Sequence, residues 1–156
     1  MSRKYQRELK ALESRVSRKA WQFFRYGFGD KSLHDASLLS LRVGDGLGFI
    51  ANGKRPFYLN RQTTAVVIEF LNYQQNARYV FDLRRVKLLQ TELYGENESY
   101  ARSIGHLYTY ELSSLRDDLQ LGFLFASGGT IVVQFRRMVF QLQRLKRGYA
   151  VEEMYR

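Results

Sequence analysis

The chain of 156 residues contains no cysteine and a single proline. The absence of cysteine excludes disulfide bonds, thiolate metal sites and a cysteine nucleophile. The sequence also lacks an apolar run near the roughly 18 residues of a membrane-spanning helix, and its polar, basic start lacks the apolar core of a signal peptide. These absences predict a soluble or peripheral protein of the cytoplasm or an organelle interior, with no evident secretion.

Side chains that commonly carry catalysis are also few. The two histidines, His34 and His106, lie far apart and lack the spacing of a zinc site. Asp35 follows His34, but side chains of neighbouring residues rarely converge as a nuclease acid and base would need to. Asp117 and Asp118 fit a turn better than a metal site, because neighbours on a strand face opposite sides. We therefore predict no enzymatic activity, no catalytic residue, no metal and no cofactor.

One segment matches part of a phosphate-binding loop. Gly48 to Lys54 reproduces the frame G-x-x-x-x-G-K, but Arg55 and Pro56 stand where the loop needs a Ser or Thr that ligates Mg²⁺. The sequence around it also lacks the alternation of strands and helices that accompanies such a loop. We interpret the segment as a connecting loop.

Positive charge is concentrated at the two ends of the chain. Residues 1–25 hold eight basic and two acidic side chains, and residues 135–156 hold six basic and two acidic ones. The middle of the chain, residues 26–134, holds 11 basic and 11 acidic side chains. The formal net charge of +10 therefore lies entirely in the two terminal segments. This partition predicts a localised electrostatic surface rather than a uniformly basic protein.

The N-terminal segment has the apolar spacing of an amphipathic helix, which we predict over residues 1–27. Trp21 falls on the cationic side of this predicted helix. The apolar stripe consists of Tyr5, Leu9, Leu12, Val16, Ala20 and Phe23.

The centre of the chain, residues 57–136, is predicted to be rich in β-structure. Residues 65–70 and 78–81 read as one hairpin, and residues 119–125 and 131–135 as a second. Another strand is predicted between them, from Leu107 to Leu112.

The remaining segments complete the predicted architecture. Residues 30–43 fit a short helix slightly better than a strand, and residues 137–148 have the spacing of a short basic helix. We therefore predict one domain over residues 1–156, of class α+β. A single antiparallel sheet of about five or six strands, which could be barrel-like, is flanked by the two basic terminal helices.

Two cationic helices on a neutral scaffold predict a non-catalytic protein that binds nucleic acid, RNA or DNA, through its phosphates. Trp21 would stack on a base or sugar. The predicted contacts are Arg3, Lys4, Arg7, Lys10, Arg15, Arg18, Lys19, Trp21, Arg25, Arg136, Arg137, Arg144, Lys146 and Arg147.

Two other kinds of partner stay open at this point. Aromatic residues make up 15% of the chain, which suits an adaptor subunit that docks on an acidic protein. Its anchors would be Tyr94, Tyr100, Tyr108, Tyr110, Tyr149 and Tyr155. The N-terminal helix could instead lie on an anionic membrane surface.

Overall fold

The computed structural model describes residues 3–26, 32–45, 47–48, 57–58, 64–94 and 105–146. Two helices come first, α1 (Arg3–Leu12) and α2 (Arg18–Tyr26). The described strands are β1 (Ser37–Asp45), β2 (Leu47–Gly48), β3 (Phe57–Tyr58), β4 (Thr64–Leu71), β5 (Ala77–Arg84), β6 (Leu88–Glu92), β7 (Leu107–Leu115), β8 (Asp118–Phe125), β9 (Thr130–Phe135) and β10 (Arg137–Arg144).

The prediction of an α+β protein is confirmed, but the prediction of one sheet is not. Over the described residues the long strands form two four-stranded antiparallel sheets, in the orders β1-β4-β5-β10 and β6-β9-β8-β7, rather than one sheet or a closed barrel. The short strands β2 and β3 pair with each other. Both predicted hairpins are confirmed as β4–β5 and β8–β9, and the predicted strand from Leu107 is confirmed as β7.

A pair of bends separates the two sheets. Strand β5 continues into β6 through residues 85–87, and β9 continues into β10 through Arg136. Two backbone hydrogen bonds hold these bends side by side. The amide of Lys87 donates to the carbonyl of Gln134 at 2.8 Å, and the amide of Arg136 donates to the carbonyl of Arg84 at 3.3 Å. We call this part of the molecule the corner.

Aromatic rings fill the space between the sheets. Phe70 and Phe81, from the first sheet, lie 4.9 and 5.6 Å from Phe123 of the second, measured between ring centroids. Phe23 of α2 packs against Phe140 of β10 at 4.8 Å and covers the open side of this core. Burying such large rings is the main source of stability in a domain of this kind.

The predicted continuous helix over residues 1–27 is wrong, because the helix is interrupted between Leu12 and Arg18. Ser17 begins the second helix: its hydroxyl accepts a hydrogen bond from the amide of Ala20 at 3.2 Å, as an N-cap side chain does. Helix α1 is joined to the second sheet by Tyr5, whose hydroxyl accepts from the amide of Leu112 at 3.4 Å. Burial raises the pKa of the Tyr5 hydroxyl to about 12.

Two further helix predictions are also wrong. Residues 137–144 of the predicted C-terminal helix form strand β10, which pairs with β5 over its full length. Met138 and Phe140 alternate into the core there, so strand pairing prevails over an apolar spacing that also suited a helix. In the predicted helix at 30–43, residues 37–43 belong to strand β1, which pairs with β4. Among the described residues, no helix has the length and apolar character needed to cross a bilayer.

Candidate anion-binding surface

Four arginines surround an open depression at the corner. Arg15, Arg85, Arg136 and Arg137 line it together with one acidic residue, Asp117. We call these four arginines the corner cluster. Arg15 comes from the basic N-terminal segment, whereas Arg136 and Arg137 come from the basic C-terminal one, so the fold brings part of both charged ends together.

Arg15 is held at the corner by main-chain oxygens. Its guanidinium donates to the carbonyl of Asp117 at 2.5 Å and makes a longer contact, 3.5 Å, with the carbonyl of Arg116. A carbonyl oxygen accepts the hydrogen bond without carrying a formal charge. The positive charge of Arg15 is therefore fixed in place and is not neutralised by these contacts.

Asp118 neutralises part of the remaining charge. Its carboxylate is nearly buried and accepts from Lys87 Nζ at 2.7 Å and from Arg136 Nε at 3.1 Å. The hydrogen bond from Lys87, and then that from Arg136, lowers the pKa of the Asp118 carboxyl below its ordinary value. Within the part of the chain that the structure describes, Arg85 and Arg137 have no such acidic partner.

Two arginines at turns near this depression have an uncommon backbone conformation. Arg85 and Arg116 have φ angles of 53° and 56°. The left-handed region costs an L-residue about 1–2 kcal/mol relative to the usual helical conformation, and glycine avoids that cost. Asp35 and Gln75, at turns elsewhere in the described residues, have the same conformation, so it marks tight turns rather than the corner alone.

A second cationic surface lies between the two helices. This groove, which we call the helix groove, has a volume of about 640 Å³, within the range of small-ligand sites. No acidic side chain is among its described lining residues, which are Arg3, Gln6, Arg7, Leu9, Lys10, Trp21, Arg25 and Tyr26.

Trp21 forms the floor of the helix groove rather than an exposed stacking platform. Its side chain is 8% exposed, and its indole N–H donates to the carbonyl of Leu9 at 3.1 Å. The guanidinium of Arg25 lies 4.6 Å from the Trp21 ring centroid and 5.0 Å from that of Tyr26, in cation–π contact with both. The break before α2 turns Trp21 toward α1, which the expected single helix could not do.

A third group of arginines is paired with a buried acid. Glu69, on the outward side of β4, is 6% exposed and accepts from Arg42 at 2.7 Å and from Arg78 at 2.6 Å. We call Arg42 and Arg78 the outer-face pair. Lys19 lies beside them and lines the same shallow groove.

The other predicted contacts lie apart from these groups. Lys4, Arg18, Arg144 and Lys146 are exposed and line neither the corner nor the helix groove. Arg147 lies outside the described residues. The predicted contacts did not include Arg85, Lys87 and Arg116. These residues belong to the middle segment, where basic and acidic side chains are equal in number, and only the fold brings them close to the corner.

The histidines have separate environments. His34 Nδ1 lies 3.1 Å from the carboxylate of Asp35, so these neighbours do converge, and the His34 ring lies 6.0 Å from that of Tyr108. His106 uses its carbonyl to accept from the amide of Ala126. Among the described residues, no group of three or more acidic or histidine side chains is placed to hold a metal ion.

Some residues of the phosphate-loop motif and of the predicted adaptor surface fall outside the part of the fold that the structure describes. Residues 49–54 of the loop-like motif, together with Tyr100, Tyr149 and Tyr155, lie outside the described residues. Of the remaining tyrosines proposed as anchors, Tyr94 and Tyr108 are exposed, and Tyr110 is largely enclosed next to Phe23.

Comparison of the chain with protein families, with curated proteins and with solved structures gave no match.

Proposed function

We propose that this protein binds nucleic acid through its phosphate backbone and catalyses no reaction on it. The corner cluster makes the main contacts, and the helix groove extends the binding surface. The observation that carries this proposal is the meeting of Arg15 with Arg136 and Arg137 at one depression that contains a single acidic residue. Arginine suits such contacts because its planar guanidinium donates two parallel hydrogen bonds to a phosphate.

Charge balance favours an anionic ligand at the corner. Arg85 and Arg137 have no acidic partner among the described residues, and Arg15 is bonded only to uncharged carbonyls. The nearly buried acid, Asp118, is already shared by Lys87 and Arg136. A bound phosphate would therefore gain attraction without competing against a free carboxylate on most of this surface.

The presence of two cationic surfaces favours a polymer over a small ion. The helix groove runs along α1, which has ten residues, and Arg15 follows three residues after the end of that helix. Ten helical residues span about 15 Å. An extended polyanion could contact both surfaces at once, whereas a single phosphate would occupy only one.

The test is a salt titration of binding to a labelled oligonucleotide, measured by fluorescence anisotropy. The double variant Arg85→Ala/Arg137→Ala removes two unpaired charges from the corner. We expect weaker binding to every sequence and a slope of log affinity against log salt that is smaller by roughly 1.4–1.8, or 0.7–0.9 for each lost phosphate contact.

The matched control is Arg42→Ala/Arg84→Ala. It removes the same formal charge, but these arginines are paired with Glu69 and Asp82. We expect a much smaller change in affinity and slope. Equal losses in both double variants, or no loss in the corner variant, would contradict the proposal. So would equally tight binding of polyglutamate or of anionic vesicles at the same charge concentration.

A further inference from the structure

The helix groove combines free cationic groups with an accessible aromatic ring. The guanidinium carbon of Arg25 lies 4.6 Å from the centroid of the Trp21 ring and 5.0 Å from that of Tyr26, so its charge is in contact with both rings. Tyr26 is 57% exposed and meets the Trp21 ring edge-on at 6.3 Å between centroids. Cation–π contact thus holds Arg25 beside the two rings, while the ring of Tyr26 stays largely exposed to solvent.

The opposite wall supplies further charge. Arg3, Arg7 and Lys10 of α1 line the groove, and no carboxylate is among the described residues around it. In the described part of the chain, none of these three side chains or Arg25 has an ion-pair partner. The groove therefore offers hydrogen-bond donors for phosphate beside an aromatic surface for a flat, apolar group.

We infer that the nucleic acid bound by this protein is single-stranded, and that one unpaired nucleotide occupies the helix groove. Its base stacks on the exposed ring of Tyr26, and its phosphate is held by Arg25 together with Arg7. This inference rests on the proposed function. A duplex is disfavoured in this groove because its bases are stacked inside the helix and cannot reach Tyr26, whereas basic grooves that bind single strands place aromatic rings beside the backbone.

The protein carries its own reporter for this site. Trp21 is the single tryptophan of the chain and forms the floor of the groove under Arg25. A nucleotide that enters the groove displaces water near the indole and changes the position of Arg25. We therefore expect the intrinsic fluorescence of the protein to change as a single strand is added.

The experiment compares single-stranded and duplex oligonucleotides of equal length on Tyr26→Ala, Tyr26→Phe and wild type, using anisotropy and Trp21 fluorescence. We expect Tyr26→Ala to weaken single-strand binding by about tenfold, the effect of one lost base–aromatic stack, and to leave duplex binding unchanged. Tyr26→Phe keeps the ring and should retain single-strand affinity. The matched control is Tyr73→Ala, which removes a 69% exposed tyrosine from the turn between β4 and β5.

The outcomes separate the two claims. If Arg85→Ala/Arg137→Ala weakens binding while Tyr26→Ala does not, the single-strand inference is wrong and the proposed function stands. If neither oligonucleotide binds wild type, both are wrong. A fluorescence change that polyglutamate or anionic vesicles produce equally well overturns the inference, since it assigns the groove to a nucleotide. Circular dichroism of Tyr26→Ala checks that helix α2 remains folded.

Discussion

Two groups of arginines in this protein differ in what surrounds them. The outer-face pair, Arg42 and Arg78, shares the carboxylate of Glu69 through short hydrogen bonds. In the corner cluster, Arg136 is paired with Asp118, whereas Arg15, Arg85 and Arg137 have no ion-pair partner among the described residues. The number of arginines on a surface therefore says little about its ability to bind an anion. What matters is whether an acid of the same chain already occupies their donors.

The difference follows from where the residues lie in the fold. Arg42 and Arg78 are on strands that flank β4, each diagonally across from Glu69, at a distance that long side chains can bridge. Arg85 and Arg136 instead lie at bends between strands. Arg136 reaches Asp118 at the start of β8, whereas Arg85 has no acidic partner among the described residues. Sheet pairing thus places Glu69 within reach of both arginines of the outer-face pair, whereas the bend leaves Arg85 available to a ligand.

The largest expected effect is on stability, from Glu69→Ala. The change leaves Arg42 and Arg78 without their acceptor, but their side chains are 66% and 31% exposed, so water compensates part of the loss. We expect a decrease of about 2 kcal/mol in the free energy of unfolding and roughly 4–8 °C in Tm. Thermal unfolding followed by circular dichroism measures this. Arg85→Ala should change stability by less than about 0.5 kcal/mol. An equal loss of stability in Glu69→Ala and Arg85→Ala would contradict the distinction between the outer-face pair and the corner cluster.

A smaller, pH-dependent effect is expected for Asp118→Asn. Because Lys87 and Arg136 lower the pKa of Asp118 below its ordinary value of 3.8, the ionised carboxylate stabilises the folded state. That contribution is fully present above this ordinary pKa, which applies in the unfolded chain, and is lost as the pH falls through the lower folded pKa. Wild type should therefore exceed the variant in stability at pH 5–7, and the difference should shrink below about pH 4. Urea unfolding at several pH values tests this, and a difference that is the same at pH 6 and pH 3 would disprove it.

The smallest expected effect has the opposite sign. Arg85→Gly relieves the left-handed backbone at a φ of 53°, while the greater freedom of glycine in the unfolded chain offsets part of the gain. We expect a stabilisation of about 0.5 kcal/mol by denaturant unfolding, together with weaker nucleic-acid binding. The control is Arg84→Gly in strand β5, which should destabilise, because glycine in a strand adds an entropic cost without relieving strain and the ion pair of Arg84 with Asp82 is lost. A loss of stability in Arg85→Gly would show that this arginine has a structural role.

Local signals predicted the hairpins well. Alternating apolar residues on either side of a polar or glycine-rich turn fixed β4–β5 and β8–β9, and at the second turn Gly128 has a φ of 87° that favours glycine. The apolar stripe through residues 5–23 predicted one continuous helix, and the start of the second helix at Ser17 was missed.

Other features depended on partners distant in sequence. Met138, Val139 and Leu142 suit a helix by spacing, but pairing with β5 makes the segment a strand. The corner cluster draws Arg15, Arg85 and Arg137 from three separate segments. A count of charge along the chain identified the first and last of these segments and could not identify the middle one, where acidic residues such as Glu69 cancel the total.

By itself, the sequence determined the absence of cysteine chemistry, the excess of positive charge at both ends and the two hairpins, because these depend on composition or on residues close together in the chain. The tertiary structure decided which arginines are neutralised and which remain available, since a salt bridge needs side chains that strand register brings within about 4 Å. It also decided that Trp21 is buried beneath Arg25, because the break before α2 turns that ring toward α1.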